Sequence, residues 1–519
     1  MNAIASTSTP SPLLTEALSI TEAGGLWTDA YKPRMAQMGW ALRHERAVYS
    51  FRRGGPYYVP IDLAEYIHNF IQEHTDEDYA YLASEGMFMD SAYRAALTQK
   101  LNIIALPKGS WFTDHEPILT VDGPMALWSN LEGRLIGELA FLIQVATLGK
   151  LYQKKEIDRA ELNRRLGIAT CPQERDIILS ILAKVGVSNF ECVADPEGYF
   201  AHVYERAVRI LNIVVDPTKV AEGGLRSATC VQNHAIAVAA CKAAGWGATS
   251  NVYLARLFSM VPAGTTGHEH SQRYFNDDAA FHAAVERAPG NNTLLLDTYH
   301  TRLSGIPTAM RLIEKYPERL LSVRPDFEPT QVGDVHLIIS NLQERNLDAG
   351  INLSGGFDDT KTQQFLDLAD SRGFPRSRMA FLYGEFALKA HVPLPARSGP
   401  AAVLKLCESG GKATMKISDG KNGLPGPKSS KPARPVVWRL HSPDGSMFAT
   451  MPIGIIGQEG ETPPEGYQLL SGVGQTFGNP LTLRRFRDTP PINSPATDSL
   501  VARCIEDRDA AIATSLTQR

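Results

Sequence analysis

Residues 350–371, GINLSGGFDDTKTQQFLDLADS, read as an apolar strand ending at Ser354, a turn at Gly355-Gly356 and a helix that begins near Thr360. Strand, polar turn and helix in that order form a parallel β/α unit. The alternation repeats between about Ser227 and Pro400, with strand-like runs at Ala248 to Tyr253, Leu294 to Asp297, Leu320 to Val323, His336 to Ser340 and Met379 to Leu382. The spacing predicts a β/α barrel, and barrels of this kind carry their active sites at the C-terminal ends of the strands. Polar residues stand at those ends: Thr249, Ser250, Asn251, His268, His270, Asp297, Arg324, Asp326, Ser354 and Gly384. Taken singly, Asp, Ser and Gly at such turns are explained as helix caps. Taken together they are expected to converge on one mouth.

Outward from the barrel, Trp27 to Gly149 mixes helices with short strands and turns at Pro107-Lys108-Gly109 and Asp122-Gly123-Pro124, which predicts a second α/β unit. Lys150 to Val220 is rich in helix, with a charged, solvated face at Lys154, Lys155, Glu156 and Asp158. Gly410 to Pro435 has the Gly, Lys, Ser and Pro content of a mobile loop. Short strand-like runs return from Pro435 to Arg485, and the tail from Asp488 ends in one helix.

At 519 residues the chain is long enough for more than one core. Its 43% hydrophobic and 21% charged residues are those of a folded globular protein. A net charge of -4, from 52 basic and 56 acidic residues, gives no electrostatic case for nucleic acid or an anionic membrane. Small-molecule substrates are therefore expected. Six cysteines without C-x-x-C spacing suggest neither a disulfide framework nor a zinc site, which fits reduced thiols in a cytoplasm. The N-terminus lacks the features of a signal peptide. The apolar stretch Leu135 to Leu148 is too short to span a bilayer and reads as buried helix.

Three segments carry chemistry. Backbone N–H groups at the turn Ser354 to Asp359 suit a phosphate, although two glycines after a strand also make an ordinary tight turn. Arg324-Pro325-Asp326 places a permanent cation beside a carboxylate, where arginine can hold phosphate and aspartate can hold Mg²⁺ or a ribose hydroxyl. Gly264 to Ser271, GTTGHEHS, offers His268 and His270 without a third metal ligand. A nucleophilic histidine needs an orienting carboxylate, and Asp297 in Leu296-Asp297-Thr298-Tyr299 is the candidate.

These pieces, in this order, resemble nicotinate phosphoribosyltransferase. The matching segments are Trp27 to Lys32, Glu116-Pro117, Gly123-Pro124, Glu222 to Arg226, Thr249 to Asn251, Gly264 to Glu269, Leu296 to Tyr299, Arg324 to Asp326, Ser354 to Asp358, and Lys416 to Ser418 with Pro425-Gly426 and Lys428. They span roughly residues 25 to 440. The resemblance implies a cytoplasmic homodimer with shared active sites and an irregular, incomplete β/α barrel with a flanking α/β domain. On that pattern residues 1–24 are a flexible N-terminus and residues 25–149, joined by part of 401–487, are the flanking domain. Residues 150–400 are the barrel, 410–435 the mobile loop and 488–519 the C-terminal tail.

The resemblance also implies a reaction in NAD biosynthesis. ATP, as co-substrate, phosphorylates a histidine, and the enzyme condenses nicotinate with phosphoribosyl pyrophosphate. The family's histidine falls on His268. Related nicotinamide enzymes place Glu-His-Ser at Glu269-His270-Ser271, so His270 stays open. Asp297 would orient the histidine, Arg324 and Asp326 would hold the leaving group and Mg²⁺, and Ser354, Gly355 and Gly356 would hold the 5′-phosphate with Gly384 nearby. Arg226 would pair with the base carboxylate, and Tyr31 from the other subunit would stack on the ring. Ser250 stands where nicotinamide enzymes carry aspartate, which favours the acid as substrate.

Some positions depart from the family pattern. Gly223 replaces a ring-stacking phenylalanine. Phe327-Glu328-Pro329 replaces Ser-Gly-Asp, and Leu382-Tyr383-Gly384-Glu385 replaces Gly-x-Gly-Thr. They leave two alternatives, a transferase for nicotinamide or another pyridine base and a catalytically silent nucleotide-binding homologue.

Overall fold

Seven parallel strands form the central sheet of the computed structural model. In chain order they are β1 (Val220–Glu222), β2 (Ala248–Thr249), β3 (Val261–Pro262), β4 (Thr293–Leu295), β5 (Ser322–Arg324), β6 (Gly350–Leu353) and β7 (Met379–Tyr383). The structure describes residues 11–71, 73–288, 293–385, 394, 397, 399–417, 429–440, 454–470 and 491–517.

The spatial order is β3-β2-β1-β7-β6-β5-β4, so the sheet curls but stays open between β3 and β4. It is the irregular, incomplete barrel that the sequence predicts. Alternation along each strand separates two environments. Leu294, Val323, Ile351, Met379, Phe381 and Tyr383 are buried in the main core, together with residues of the surrounding helices. The intervening positions include a polar set. Asn352 donates to Thr293 Oγ1 at 2.7 Å and to Ser322 Oγ at 3.1 Å, tying β4, β5 and β6 side by side.

Two predicted strands differ from the structure. His336 to Ser340 lies inside the helix Gln331–Glu344, where Val335, Ile338, Ile339 and Leu342 are buried at helical spacing. The run Ala248 to Tyr253 is strand only to Thr249. Asn251 then caps the helix Val252–Leu257 by accepting from Leu254 N. Within residues 1–24, expected to be flexible, Pro12–Ser19 is a helix with Leu14 and Ala17 buried.

A second, antiparallel sheet of five strands is ordered Lys412–Ala413, Val403–Ser409, His44–Ser50, Leu119–Pro124 and Asn102–Ala105. It thus joins segments more than 350 positions apart in sequence, as in the pair Glu45 and Ser409. Against this sheet packs the 29-residue helix Met125–Gln153, long and apolar enough to cross a membrane by composition, but with 83% of its apolar window buried in protein. Its Gly133 and Gly137 allow close approach of the segment Leu225 to Ala228. A Cβ at Gly137 would lie 2.3 Å from the Ala228 carbonyl oxygen. Helix and segment lock together just where Arg226 projects. A four-stranded sheet of Tyr467–Leu469, Pro435–Leu440, Gly454–Gln458 and Ile492–Asn493 precedes the last helix, Pro495–Thr517. Ser418, Lys421, Pro425, Gly426 and Lys428 of the expected mobile loop lie outside the described residues.

Candidate active site

His268 opens the helix His268–Tyr274 directly after the β3 loop, with only 9% of its side chain exposed. The Lys416 ammonium lies 2.7 Å from its Nε2. An ammonium can only donate, so Nε2 carries the lone pair and Nδ1–H donates to Thr298 Oγ1 at 3.2 Å. Asp297 Oδ2 and Asp326 Oδ2 each stand 3.7 Å from Nε2. Burial, reinforced by the positive charge of Lys416, lowers the His268 pKa to about 4 against the pull of Asp297. The imidazole is therefore neutral at neutral pH, with its lone pair on the Lys416 ammonium and the two acids close by.

Asp297 was expected to orient this ring by a direct hydrogen bond, and it does not reach. Lys416 lies between them, 3.3 Å from Asp297 Oδ2, and Thr298 fixes the tautomer instead. His270, two residues along the same helix, faces elsewhere. Its Nε2 donates to the Ala280 carbonyl at 2.8 Å, its ring packs on Tyr274, and it is not brought to the acids.

Asp326 follows β5 and accepts from Ser354 Oγ at 2.6 Å. Burial would raise its pKa, but His268, Arg324 and Lys416 hold it well below the usual carboxylate range. Arg324 donates to Thr265 Oγ1, tying β5 to the β3 loop across the open side of the sheet. After β6, Gly355 (φ +93°) and Gly356 (φ +63°) turn the chain through the left-handed region that glycine tolerates. Lys361 reaches back to the Gly355 carbonyl at 2.5 Å. Gly384 follows β7 beside Gly223 of the β1 loop, whose N–H donates to Tyr383 O at 2.9 Å.

Arg226, 31% exposed along its side chain, stands 5.8 Å from the Tyr31 ring and 3.9 Å from Asp29 Oδ2. This is the chain's own Tyr31. The segment before it pairs with the β2 loop through an Asp29–Asn251 bridge, and that bridge delivers the ring. Tyr31 OH donates to Glu132 Oε2 at 2.9 Å. Ser250 Oγ donates to Asp29 Oδ1 at 2.6 Å, so the serine brings a carboxylate with it. Burial raises the Asp29 pKa against the influence of Arg226.

The site therefore joins a neutral histidine, two acids, a glycine turn and an arginine–tyrosine pocket at the ends of parallel strands. No family model matches the chain. A nicotinate phosphoribosyltransferase of Bacillus subtilis is 23% identical over 357 residues, which cover 66% of this chain and 58% of that protein. One of Mycobacterium tuberculosis is 24% identical over 433 residues, covering 78% of this chain and 74% of its own. The fold is that of a solved structure from Saccharomyces cerevisiae described as a nicotinate phosphoribosyltransferase, with a TM-score of 0.56 at 17% identity over 77% of this chain and 94% of the other. The chain is thus similar in sequence to nicotinate phosphoribosyltransferases and shares the fold of a solved one.

Within that family frame the departures acquire physical causes. At Gly223 a Cβ would meet Leu382 Cδ1 at 2.7 Å and Cγ at 2.9 Å, so the β7 leucine already fills the space a phenylalanine would need. The two departures, Gly223 and Leu382, are one exchange. Sequence reasoning missed Arg52, Arg397 and Lys405, which belong to a cationic cluster with Lys416. Burial, with Arg52 and Lys416 nearby, lowers the Lys405 pKa to about 7. Burial and Arg397 lower that of Arg52 to about 10. The one local signal was a lysine in the otherwise apolar strand Val403-Leu404-Lys405-Leu406-Cys407.

Proposed function

We propose that the chain is a nicotinate phosphoribosyltransferase that joins nicotinate to the ribose phosphate of phosphoribosyl pyrophosphate, with ATP hydrolysed through a phosphohistidine at His268. The observation that carries this reading is the neutral His268, whose Nε2 accepts from Lys416 with Asp297 and Asp326 each 3.7 Å away.

A neutral imidazole is the form that attacks phosphorus. Nε2 forms a bond to the γ-phosphorus of ATP, the bond to the β-bridging oxygen breaks, and ADP leaves. Nδ1–H on Thr298 keeps the ring oriented, and Lys416 offsets charge on the transferred group. In ribosyl transfer positive charge builds on the sugar while pyrophosphate departs, so Arg52, Arg397 and Lys405 support the leaving group. The pyridine nitrogen attacks the anomeric carbon, and Arg226 pairs with the nicotinate carboxylate. Water finally hydrolyses the phosphohistidine. Mg²⁺ fits the donor set. One oxygen or nitrogen each from His268, Asp297 and Asp326 lie within 4.8 Å of one another, and Asp297 Oδ1 is buried without a hydrogen-bond partner. Asp297 and Asp326 would hold the ion, which supplies Lewis-acid stabilisation of phosphate oxygens.

Asp29 favours a second reading. A carboxylate bonded to Ser250 and close to Arg226 suits the NH₂ of an amide, so nicotinamide is the competing base. Turnover with nicotinate, nicotinamide and quinolinate, with and without ATP, decides between them. Nicotinate is expected to react fastest and to gain from ATP. ³²P from γ-labelled ATP is expected as an acid-labile phosphate in wild type and absent from His268→Ala. Label that persists in His268→Ala rejects the nucleophile, and faster turnover of nicotinamide rejects the base.

A further inference from the structure

The loop after β5 carries Phe327-Glu328-Pro329, and the reading above gives its glutamate no task. Glu328 is exposed at the rim, yet its side chain lies over the glycine turn after β6. A Cβ at Gly356 would stand 3.2 Å from Glu328 Oε1, and one at Gly355 would stand 3.3 Å from its Cγ. The turn itself is open to solvent at Gly356 and is bordered by Asp326, Ser354 and Lys361. A carboxylate thus stands beside the turn proposed to receive an anion, where a phosphate would meet like charge.

We propose that Glu328 is an internal competitor for the donor's 5′-phosphate, a residue that sets donor affinity by occupying the Gly355-Gly356 cradle until phosphate displaces it. The proposal rests on the assignment of that cradle to the phosphate in the proposed function. Displacement changes no strand pairing, because Glu328 lies in the loop after β5. Like charges at such range in a partly solvated site weaken binding by roughly tenfold.

The test uses the full chain as wild type, Glu328→Gln and Glu328→Ala, titrated calorimetrically with inorganic phosphate and, separately, with inorganic pyrophosphate. Both variants are expected to bind phosphate about tenfold more tightly and pyrophosphate, which suits the Arg52, Arg397 and Lys405 cluster, with little change. KM for phosphoribosyl pyrophosphate should fall in parallel. Phosphate affinity that is unchanged or weaker in both variants overturns the proposal, because Glu328 is then inert or a ligand. Equal tightening for both anions also overturns it, since that is a general charge effect. Turnover of nicotinate is scored independently. Tighter phosphate binding without turnover rejects the proposed activity and keeps the competitor, whereas turnover with unchanged phosphate affinity does the reverse.

Discussion

Arg226 meets two demands that pull against each other. Its guanidinium can pair with a substrate carboxylate, yet Asp29 already stands 3.9 Å away and is itself anchored by Ser250. Burial raises the Asp29 pKa, and Arg226 opposes that shift. A charge-assisted hydrogen bond contributes about 1.5 to 3 kcal/mol, or roughly ten- to more than a hundredfold in affinity. Arg226→Ala should therefore lower kcat/KM for nicotinate by about that factor and harm nicotinamide less. Ser250→Asp would set a second carboxylate against Asp29 and narrow the ratio of nicotinate to nicotinamide. Steady-state kinetics with both bases checks this, and an unchanged ratio in Ser250→Asp means the side chain at 250 does not choose the base.

At the scale of elements, β1 and β7 share one solution to a packing problem. They pair in parallel with Tyr383 opposite Glu222, and Leu382 covers Gly223. Gly223→Phe alone should drive the ring into Leu382, and overpacking of this kind costs about 1 to 3 kcal/mol. Gly223→Phe with Leu382→Ala should recover stability and, if the ring then lines the base pocket, lower KM for the base. Thermal melts and KM for the two single variants and the double variant measure the coupling, and additive losses would dissolve the pair. The strands themselves were legible wherever β-branched or apolar runs ended in polar turns, as at Gly350 to Ser354. Val220–Glu222 and Val261–Pro262 were not read as strands, because three or two residues carry no periodicity. His336 to Ser340 misled because a short apolar run fits a buried strand and a buried helix equally well. His268, Asp326 and Arg226 could be singled out because they sit in short motifs. Lys405 and Arg397 could not, because a sheet pairing across more than 350 residues brings the Lys405 strand to the site, and no local pattern records such a pairing.

For the whole molecule, the histidines His74, His268 and His270 are buried enough for their pKa values to fall from 6.5 to about 4. Between those values the unfolded chain binds protons that the folded chain refuses. Stability is thus complete above about pH 6.5 and is lost as pH falls toward 4, by up to roughly 1.4 kcal/mol per pH unit for each histidine. Melting temperature followed from pH 7.5 to 4.5 should decline through that window. The decline should be shallower in His270→Gln, which keeps a donor for Ala280 O but cannot titrate, and an equally steep decline would place the effect elsewhere. The gap in the central sheet has a mechanical consequence. Among the described residues β3 and β4 do not pair, so His268, which follows β3, lies beside a seam that no strand ladder closes. A phosphoryl group added to His268 brings bulk and about two negative charges. Under the proposed function that group would meet a side-chain tie, Arg324 to Thr265, and not a strand pairing.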